Sequence, residues 1–294
     1  MLGTSCGVPT PERGLPAVAV RRQREIILFD CGEGTQRQMI RFGLSFMRVS
    51  KIFVTHFHGD HYLGLFGLVQ SMSFFGRDHP LDIYGPPGME KISHLLNSIG
   101  NFQSSFRIVG HELESGAIVR FDGYAVYCGA VEHLVPTLGY LLQEDQRPGR
   151  FYLEKARALG IPQGRLYKDL QMGKAIHWRG RTISPSEVVG PPRQGRKIVY
   201  LGDVLPTELA IRLSRGADLL ICEATFCDDL ADRAVETGHS TVKLSCQLAR
   251  KAGAKRLLLT HFSPRYDEET IAKEVDFPRT IIGRDGLTVD VRYP

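Results

Sequence analysis

The stretch VTHFHGDH, residues 54 to 61, sets three histidines and an aspartate in one turn directly behind an apolar, β-branched run. Imidazole nitrogens and carboxylate oxygens are metal ligands. The spacing His-x-His-x-Asp-His lets a single loop offer imidazoles to one ion, and a carboxylate plus a further imidazole to another. Four side chains cannot fill two coordination shells, so other donors must come from distant parts of the chain. Three more β-type runs end on suitable residues: YAVYCGAVEH on His133, RKIVYLGD on Asp203 and KRLLLTH on His261. We assign one ion to His56, His58, His133 and Asp203, and the other to Asp60, His61, Asp203 and His261, with Asp203 as the bridge. A donor set rich in imidazole and free of thiolate favours Zn²⁺, with Mn²⁺ or Fe²⁺ also compatible. A lone histidine is more often a hydrogen-bonded core or surface residue. Five histidines and two aspartates, each at the end of a β-type run, do not fit that explanation.

Strands that end together are how a layered α/β protein gathers side chains far apart in sequence, because neighbouring strands lie about 4.8 Å apart. Helical patterns lie between the runs, at LPTELAIRLSRGA (205–217) and STVKLSCQLARKAGA (240–254). In the second, Ser240 is the expected N-cap, Val242, Leu244, Leu248 and Ala249 the apolar face, and Gly253 the C-terminal stop. The apolar segment 63–75, LGLFGLVQSMSFF, is either a buried helix or an interface helix. Residues 145 to 195 differ: turn-rich segments flank two short helical stretches, FYLEKARALG and RLYKDLQMG, with little apolar material to bury, which predicts a protrusion.

The 294 residues, 43% of them hydrophobic, can bury a substantial core. No run approaches the roughly 18 to 20 apolar residues of a membrane helix, and the start lacks a signal-like pattern, so a cytoplasmic protein is expected. The six cysteines are scattered without a CxxC pair, which suits buried reduced thiols better than disulfides. The net charge of +5 is unevenly spread. Residues 146 to 197 hold twelve Lys/Arg against three Asp/Glu, so this segment is +9 and the remainder −4. A patch of that sign gains affinity for RNA by releasing condensed counterions. Phe151, Tyr152, Tyr167 and Trp178 are interleaved with the charges, available to stack on bases or to pack the segment together.

With these residues in view the chain resembles the metallo-β-lactamase superfamily, through THFHGDH, the isolated His133, GD at 202–203 and TH at 260–261. Further motifs narrow the likeness to the short form of the ribonuclease Z family: LGTSCGVPT, FDCGEGTQRQM (29–39), HLVPTLGYLL (133–142), EATF (223–226) and GHST (238–241). The resemblance spans essentially the whole chain, in order. It implies an α/β fold, the four-layer αβ/βα sandwich, over residues 1–294 with an inserted protruding arm at 146–182. The activity it implies is metal-dependent cutting of precursor tRNA after the discriminator base, leaving a 3′-hydroxyl on the tRNA and a 5′-phosphate on the trailer, with two Zn²⁺ per subunit. A homodimer is implied as well.

Two metals can generate hydroxide at neutral pH and stabilise both oxygens of an in-line displacement at phosphorus. Asp60 then serves as ligand and proton acceptor, as its family counterpart does. The leaving 3′-oxygen needs an acid, for which His239 of GHST is the candidate and Glu223 of EATF its acidic partner. The segment RPGRFYLEKARALGIPQGRLY matches the family's tRNA-gripping arm, with Arg150, Lys155, Arg165, Lys168 and Lys174 as candidate contacts. The N-terminal PTPERG departs from the family's Pro-x-Lys-x-Arg-Asn: Arg13 is retained as a candidate contact to the RNA 3′ end, but Pro11 replaces Lys and Gly14 replaces Asn. Handling of CCA-bearing ends is thereby open. Cys222 stands where the family often has His, at a position expected to face away from the site. The chain also starts close to the LGT motif, so a short first strand is expected. A small-molecule ester, thioester or phosphodiester hydrolase of the same fold is the competing reading, and it leaves the basic segment without a role.

Overall fold

A computed structural model describes residues 1–293. The strands form because their apolar residues alternate, and each alternation feeds two different cores. Ile26 and Leu28 of the strand Glu25–Phe29 pack on one side while Ile27 and Phe29 pack on the other. The same division holds in Lys197–Leu201, where Val199 and Leu201 face one core and Ile198 and Tyr200 the other, and in Leu257–Thr260, where Leu258 opposes Leu257 and Leu259. A strand buried on both faces must lie inside a layered structure.

The layers follow directly. A five-stranded sheet runs in order through Val18–Arg22, Glu25–Phe29, Val49–Phe53, Leu81–Gly85 and Ile108–Glu112. A seven-stranded sheet runs Thr280–Ile282, Leu257–Thr260, Leu219–Glu223, Lys197–Leu201, Thr137–Glu144, Tyr124–Val131, Ile118–Phe121. Between them lies a core rich in aromatics, with Phe29, Phe53 and Tyr84 of the first sheet meeting Tyr140 and Tyr200 of the second. The outer face of the first sheet is covered by the helices Thr35–Arg41, Gly64–Phe74 and Met89–Ser98, and that of the second by Glu208–Ser214, Val242–Ala252 and Glu268–Glu274. The architecture is helix, sheet, sheet, helix. Three of the strands that lead into ligand candidates, Lys197–Leu201, Leu257–Thr260 and, in the other sheet, Val49–Phe53, and the strand Leu219–Glu223 that ends on Glu223, lie in parallel ladders, so their C-terminal ends open toward one edge.

Several local expectations are revised. The helix Val242–Ala252 is capped by Thr241, whose hydroxyl accepts the Leu244 N–H at 3.2 Å; Ser240, the expected cap, bonds Ser245 instead. Gly253 ends it in the left-handed conformation, φ 64°. Residues 2–5 form only isolated bridges, and the first strand is Val18–Arg22. Cys222 packs with the outer core and Ser245, on the face opposite the site, and five of the six cysteines are buried, Cys6 being the partly exposed one. The helix Gly64–Phe74 buries Leu65, Leu68, Val69 and Met72, yet Phe74 and Phe75 at its end are 90% and 68% exposed. Among the described residues no helix is long and apolar enough to cross a membrane.

The basic segment folds as a unit with a core of its own, contrary to the expectation of little apolar material. Leu153–Ala158, Arg165–Gln171 and a hairpin of Ile176–Trp178 with Arg181–Ile183 enclose Ala156, Ile161, Leu170, Ile176, Ile183 and Val188. Its base is closed by the bridge of Arg147 with Arg193 and of Phe151 with Val189, so it extends past residue 182. Phe151, Tyr167 and Trp178 pack against this core; Tyr152 stays exposed under Lys155.

Candidate metal centre

His56, His133, Asp203 and His261 each lie one to three residues past the end of a strand. His56 follows Val49–Phe53, and His58, Asp60 and His61 occupy the start of the short helix Gly59–Tyr62. His133 follows Tyr124–Val131, Asp203 follows Lys197–Leu201, and His261 follows Leu257–Thr260. Strand pairing brings all seven to the mouth between the sheets, where they form two adjoining groups, His56–His58–His133–Asp203 and Asp60–His61–His261. In the first, His58 Nδ1 lies 3.0 Å from His56 Nε2 and 3.3 Å from His133 Nε2. In the second, His61 Nε2 and His261 Nε2 are 3.2 Å apart, with Asp60 Oδ2 at 3.6 and 3.5 Å. Asp203 serves both: its Oδ2 lies 3.5 Å from His56 and His133, and its Oδ1 3.1 Å from His61 and His261.

The outer nitrogens explain why the inner ones face one another. His61 Nδ1 donates to Asp30 Oδ2 at 2.7 Å and His133 Nδ1 to the Gly238 carbonyl at 2.7 Å. His261 Nδ1 is held by Thr225 Oγ1 at 2.8 Å, and His56 Nδ1 by Thr55 Oγ1 at 3.0 Å. A histidine whose outer nitrogen carries the proton presents a lone pair inward, which is the arrangement that fixes imidazoles around a cation. Asp203 Oδ1, buried without a hydrogen-bond donor, sits among those lone pairs. Lone pairs and carboxylate oxygens converging at these distances repel unless positive charge lies between them, so the residues present fit a metal centre.

The protonation tendencies agree. Burial lowers the His61 imidazole, but the Asp203 and Asp30 carboxylates outweigh it and lift His61 to about 10; His261 is raised by Asp203 against the same cost of burial. Burial, with His61 beside it, pushes His56 down to about 4. Asp60 is held below the usual carboxylate range, burial being overcome by the hydrogen bond from His261 and the charge of His61. The pocket favours cations, as protons or as metal. Two of its residues are in the left-handed region, Asp30 at φ 57° and His261 at φ 59°. Non-glycine residues held there mark sites over-determined by their surroundings.

His239 and Glu223 come together at the rim. His239 Nδ1 lies 3.0 Å from Glu223 Oε1, and its Nε2 has no protein partner among the described residues. Glu223, fully buried, also accepts the Val204 N–H at 2.7 Å and the Thr225 hydroxyl. Burial lowers the His239 imidazole, but Glu223 more than compensates and raises it to about 9. His239 is also near enough to Asp203 and His261 to count among possible ligands.

The basic candidates fall in two places. Arg150, Lys155, Arg165, Lys168 and Lys174 are exposed on the protruding unit, and only Arg165 has an acid nearby, Asp169 at 3.9 Å. Arg13 is different: its Nη1 donates to Thr4 Oγ1 and the Gly283 carbonyl at 2.8 and 2.9 Å and its guanidinium lies over the Phe262 ring. These contacts brace the N-terminal loop. Sequence reasoning missed Asp30, Thr55 and Thr225, the holders of the outer nitrogens. Asp30 had a signal, since EIILFD ends on a carboxylate just as the ligand strands do.

Family models match as "Anti-Pycsar protein Apyc1" over residues 1–103 and "Beta-lactamase superfamily domain" over residues 168–262. The ribonuclease Z of Methanosarcina acetivorans is 46% identical, over 99% of this chain and 97% of its own length, and that of Myxococcus xanthus 44%, over 99% and 96%. The chain belongs to the ribonuclease Z family. It is a tRNA 3′-processing endoribonuclease of metallo-β-lactamase fold. The crystal structure of the short form of human tRNase Z shares the ribonuclease Z architecture, with a TM-score of 0.73 at 30% identity, covering 99% of this chain and 98% of that one. The His/Asp cluster of this ribonuclease Z family member suits a divalent metal ion.

Replacing Asp30 by Asn leaves one accepting oxygen where two now serve the His61 Nδ1–H and the Thr55 N–H, so both can no longer be held. Divalent metal affinity should fall roughly 10- to 100-fold, measured by competition with a metallochromic chelator, and unchanged affinity would remove Asp30 from the centre.

Proposed function

We propose that the chain removes the 3′ trailer from precursor tRNA by hydrolysing the phosphodiester after the discriminator base, with two zinc ions held by His56, His58, His133 and Asp203 and by Asp60, His61, Asp203 and His261. The observation that carries this reading is the Asp203 carboxylate, with one oxygen turned to each group of imidazoles. When bound, a metal pair supplies hydroxide at neutral pH and offsets charge on the attacked phosphate. Asp60, ionised and facing His61 and His261, orients the attacking water and takes its proton. His239, kept protonated by Glu223, donates from Nε2 to the departing 3′-oxygen, so the tRNA leaves with a 3′-hydroxyl and the trailer with a 5′-phosphate.

The protruding unit grips the tRNA body away from the cut. Its support is charge, +9 on residues 146–197 against −4 on the rest, presented by exposed Arg150, Lys155, Lys168 and Lys174. A small-molecule hydrolase would have no use for it. The exposed Phe74 and Phe75, whose rings lie side by side, form an apolar surface suited to a homodimer contact, which would let one subunit's arm serve the other's centre. Six unpaired cysteines fit a reducing compartment, the cytoplasm.

The deciding experiment uses a 3′-extended tRNA transcript with purified protein. A single cut after the discriminator base is expected, lost with a chelator and restored by Zn²⁺ or Mn²⁺. Asp60→Ala should lose at least about a hundredfold in single-turnover rate with tRNA binding nearly unchanged; lost binding with residual turnover intact would contradict the assignment. Deleting residues 148–178 should weaken tRNA affinity strongly while sparing hydrolysis of bis(p-nitrophenyl) phosphate, and parallel loss of both would make the arm part of the catalytic core. His239→Ala should slow tRNA cleavage more than release of nitrophenolate, a good leaving group; equal losses count against an acid role. Because Glu223 raises His239, the acid form persists to higher pH than an ordinary imidazole, so Glu223→Gln should move the alkaline limb of the rate profile to lower pH.

A further inference from the structure

The loop Ser5–Gly14 runs from the N-terminal segment over the metal centre and back. Its tip touches the proposed proton acceptor: the Gly7 N–H donates to Asp60 Oδ2 at 2.9 Å. This is the same oxygen that faces His61 and His261. Gly7 holds φ 69°, a conformation that favours glycine, and the turn around it is closed by the Ser5 hydroxyl and the Val8 N–H.

The stems of this loop converge on one carboxylate from the other end of the chain. Asp285 Oδ1 accepts the Thr4 hydroxyl at 2.8 Å, while Oδ2 accepts the Gly14 N–H and the Gln38 side-chain amide, each at 2.6 Å. The stems are tied to each other by Ser5 N–H to the Gly14 carbonyl at 2.9 Å, and to the residue after His261 by Phe262 N–H to the Thr4 carbonyl at 2.9 Å. Arg13 braces the same corner from the Gly283 carbonyl.

We infer that Asp285 is a positioning residue for the reaction: by pinning both stems of the Ser5–Gly14 loop it holds the Gly7 amide on Asp60 and so fixes the orientation of the carboxylate that serves the Asp60–His61–His261 group. The inference deepens the assignment of Asp60 proposed above and rests on it. An N–H bonded to one oxygen of a two-oxygen group stops the group from turning. A loop freed at its base no longer delivers that N–H.

The test compares wild type with Asp285→Asn, whose amide sets an NH₂ against donors already present, and with Thr4→Val, which keeps shape but removes the hydroxyl donor. Two readouts are needed. In chelator competition with Zn²⁺, one of two resolved binding steps should shift about tenfold in each variant while the other stays put. With the tRNA transcript, kcat should fall about tenfold with KM changed less than about twofold, since the arm is untouched. The double variant should be no worse than the worse single one, because both act through one loop. Equal weakening of both binding steps, losses that multiply in the double variant, or wild-type behaviour of Asp285→Asn would each overturn the inference. Failure of wild type to cut the transcript would strike the proposed function, whereas the metal titration would still decide the role of Asp285.

Discussion

A carboxylate buried among imidazoles is tolerated only where positive charge stands beside it, and Asp203, 2% exposed with one oxygen lacking any donor, is that carboxylate. Its two oxygens look into two separate groups of nitrogen ligands, so the charge it calls for is divided between two places. Everything else at the mouth of the sandwich serves this constraint. Asp203 leaves a strand of the larger sheet, His56, His58, Asp60 and His61 come from a loop of the smaller one, and the aromatic core between the sheets holds the two at working distance. Tyr200 and Tyr140 reach across that core from the larger sheet to Asp30 and to the Val54 carbonyl, at 2.8 and 2.6 Å, and register one sheet against the other.

A shell of outer contacts converts a collection of histidines into a directed set. Asp30, Thr55, Thr225 and the Gly238 carbonyl each occupy the nitrogen that does not face the centre. The left-handed backbone of Asp30 and His261 is the cost of bringing those two side chains together, of the order of 1–3 kcal/mol each. Thr225 links the shell to the acid pair, since its hydroxyl lies between His261 and Glu223. The ligand group and the proposed proton donor therefore share a single buried network, which couples their geometry.

The basic segment folds around a core distinct from those of the two sheets. It has a core of six buried apolar residues, which lets it keep a shape without borrowing from the sandwich, and its charge faces solvent.

The ligand types, their order and the alternating apolar strands were legible from residues alone, because side-chain chemistry and a period of two are local properties. His56, His58, Asp60, His61, His133, Asp203 and His261 are recognisable because each follows an apolar run that can only be a strand. The fold class follows from the same runs and from motifs spread along the whole chain. What only the tertiary structure decided is relative placement: which oxygen of Asp203 faces which group, that Asp30 and Thr225 hold the outer nitrogens, that Arg13 braces a loop, and that the arm owns a core. Those depend on pairings between segments up to 281 positions apart, such as Thr4 with Asp285. No spacing within a sequence encodes such distances; sheet register and packing of the two cores set them.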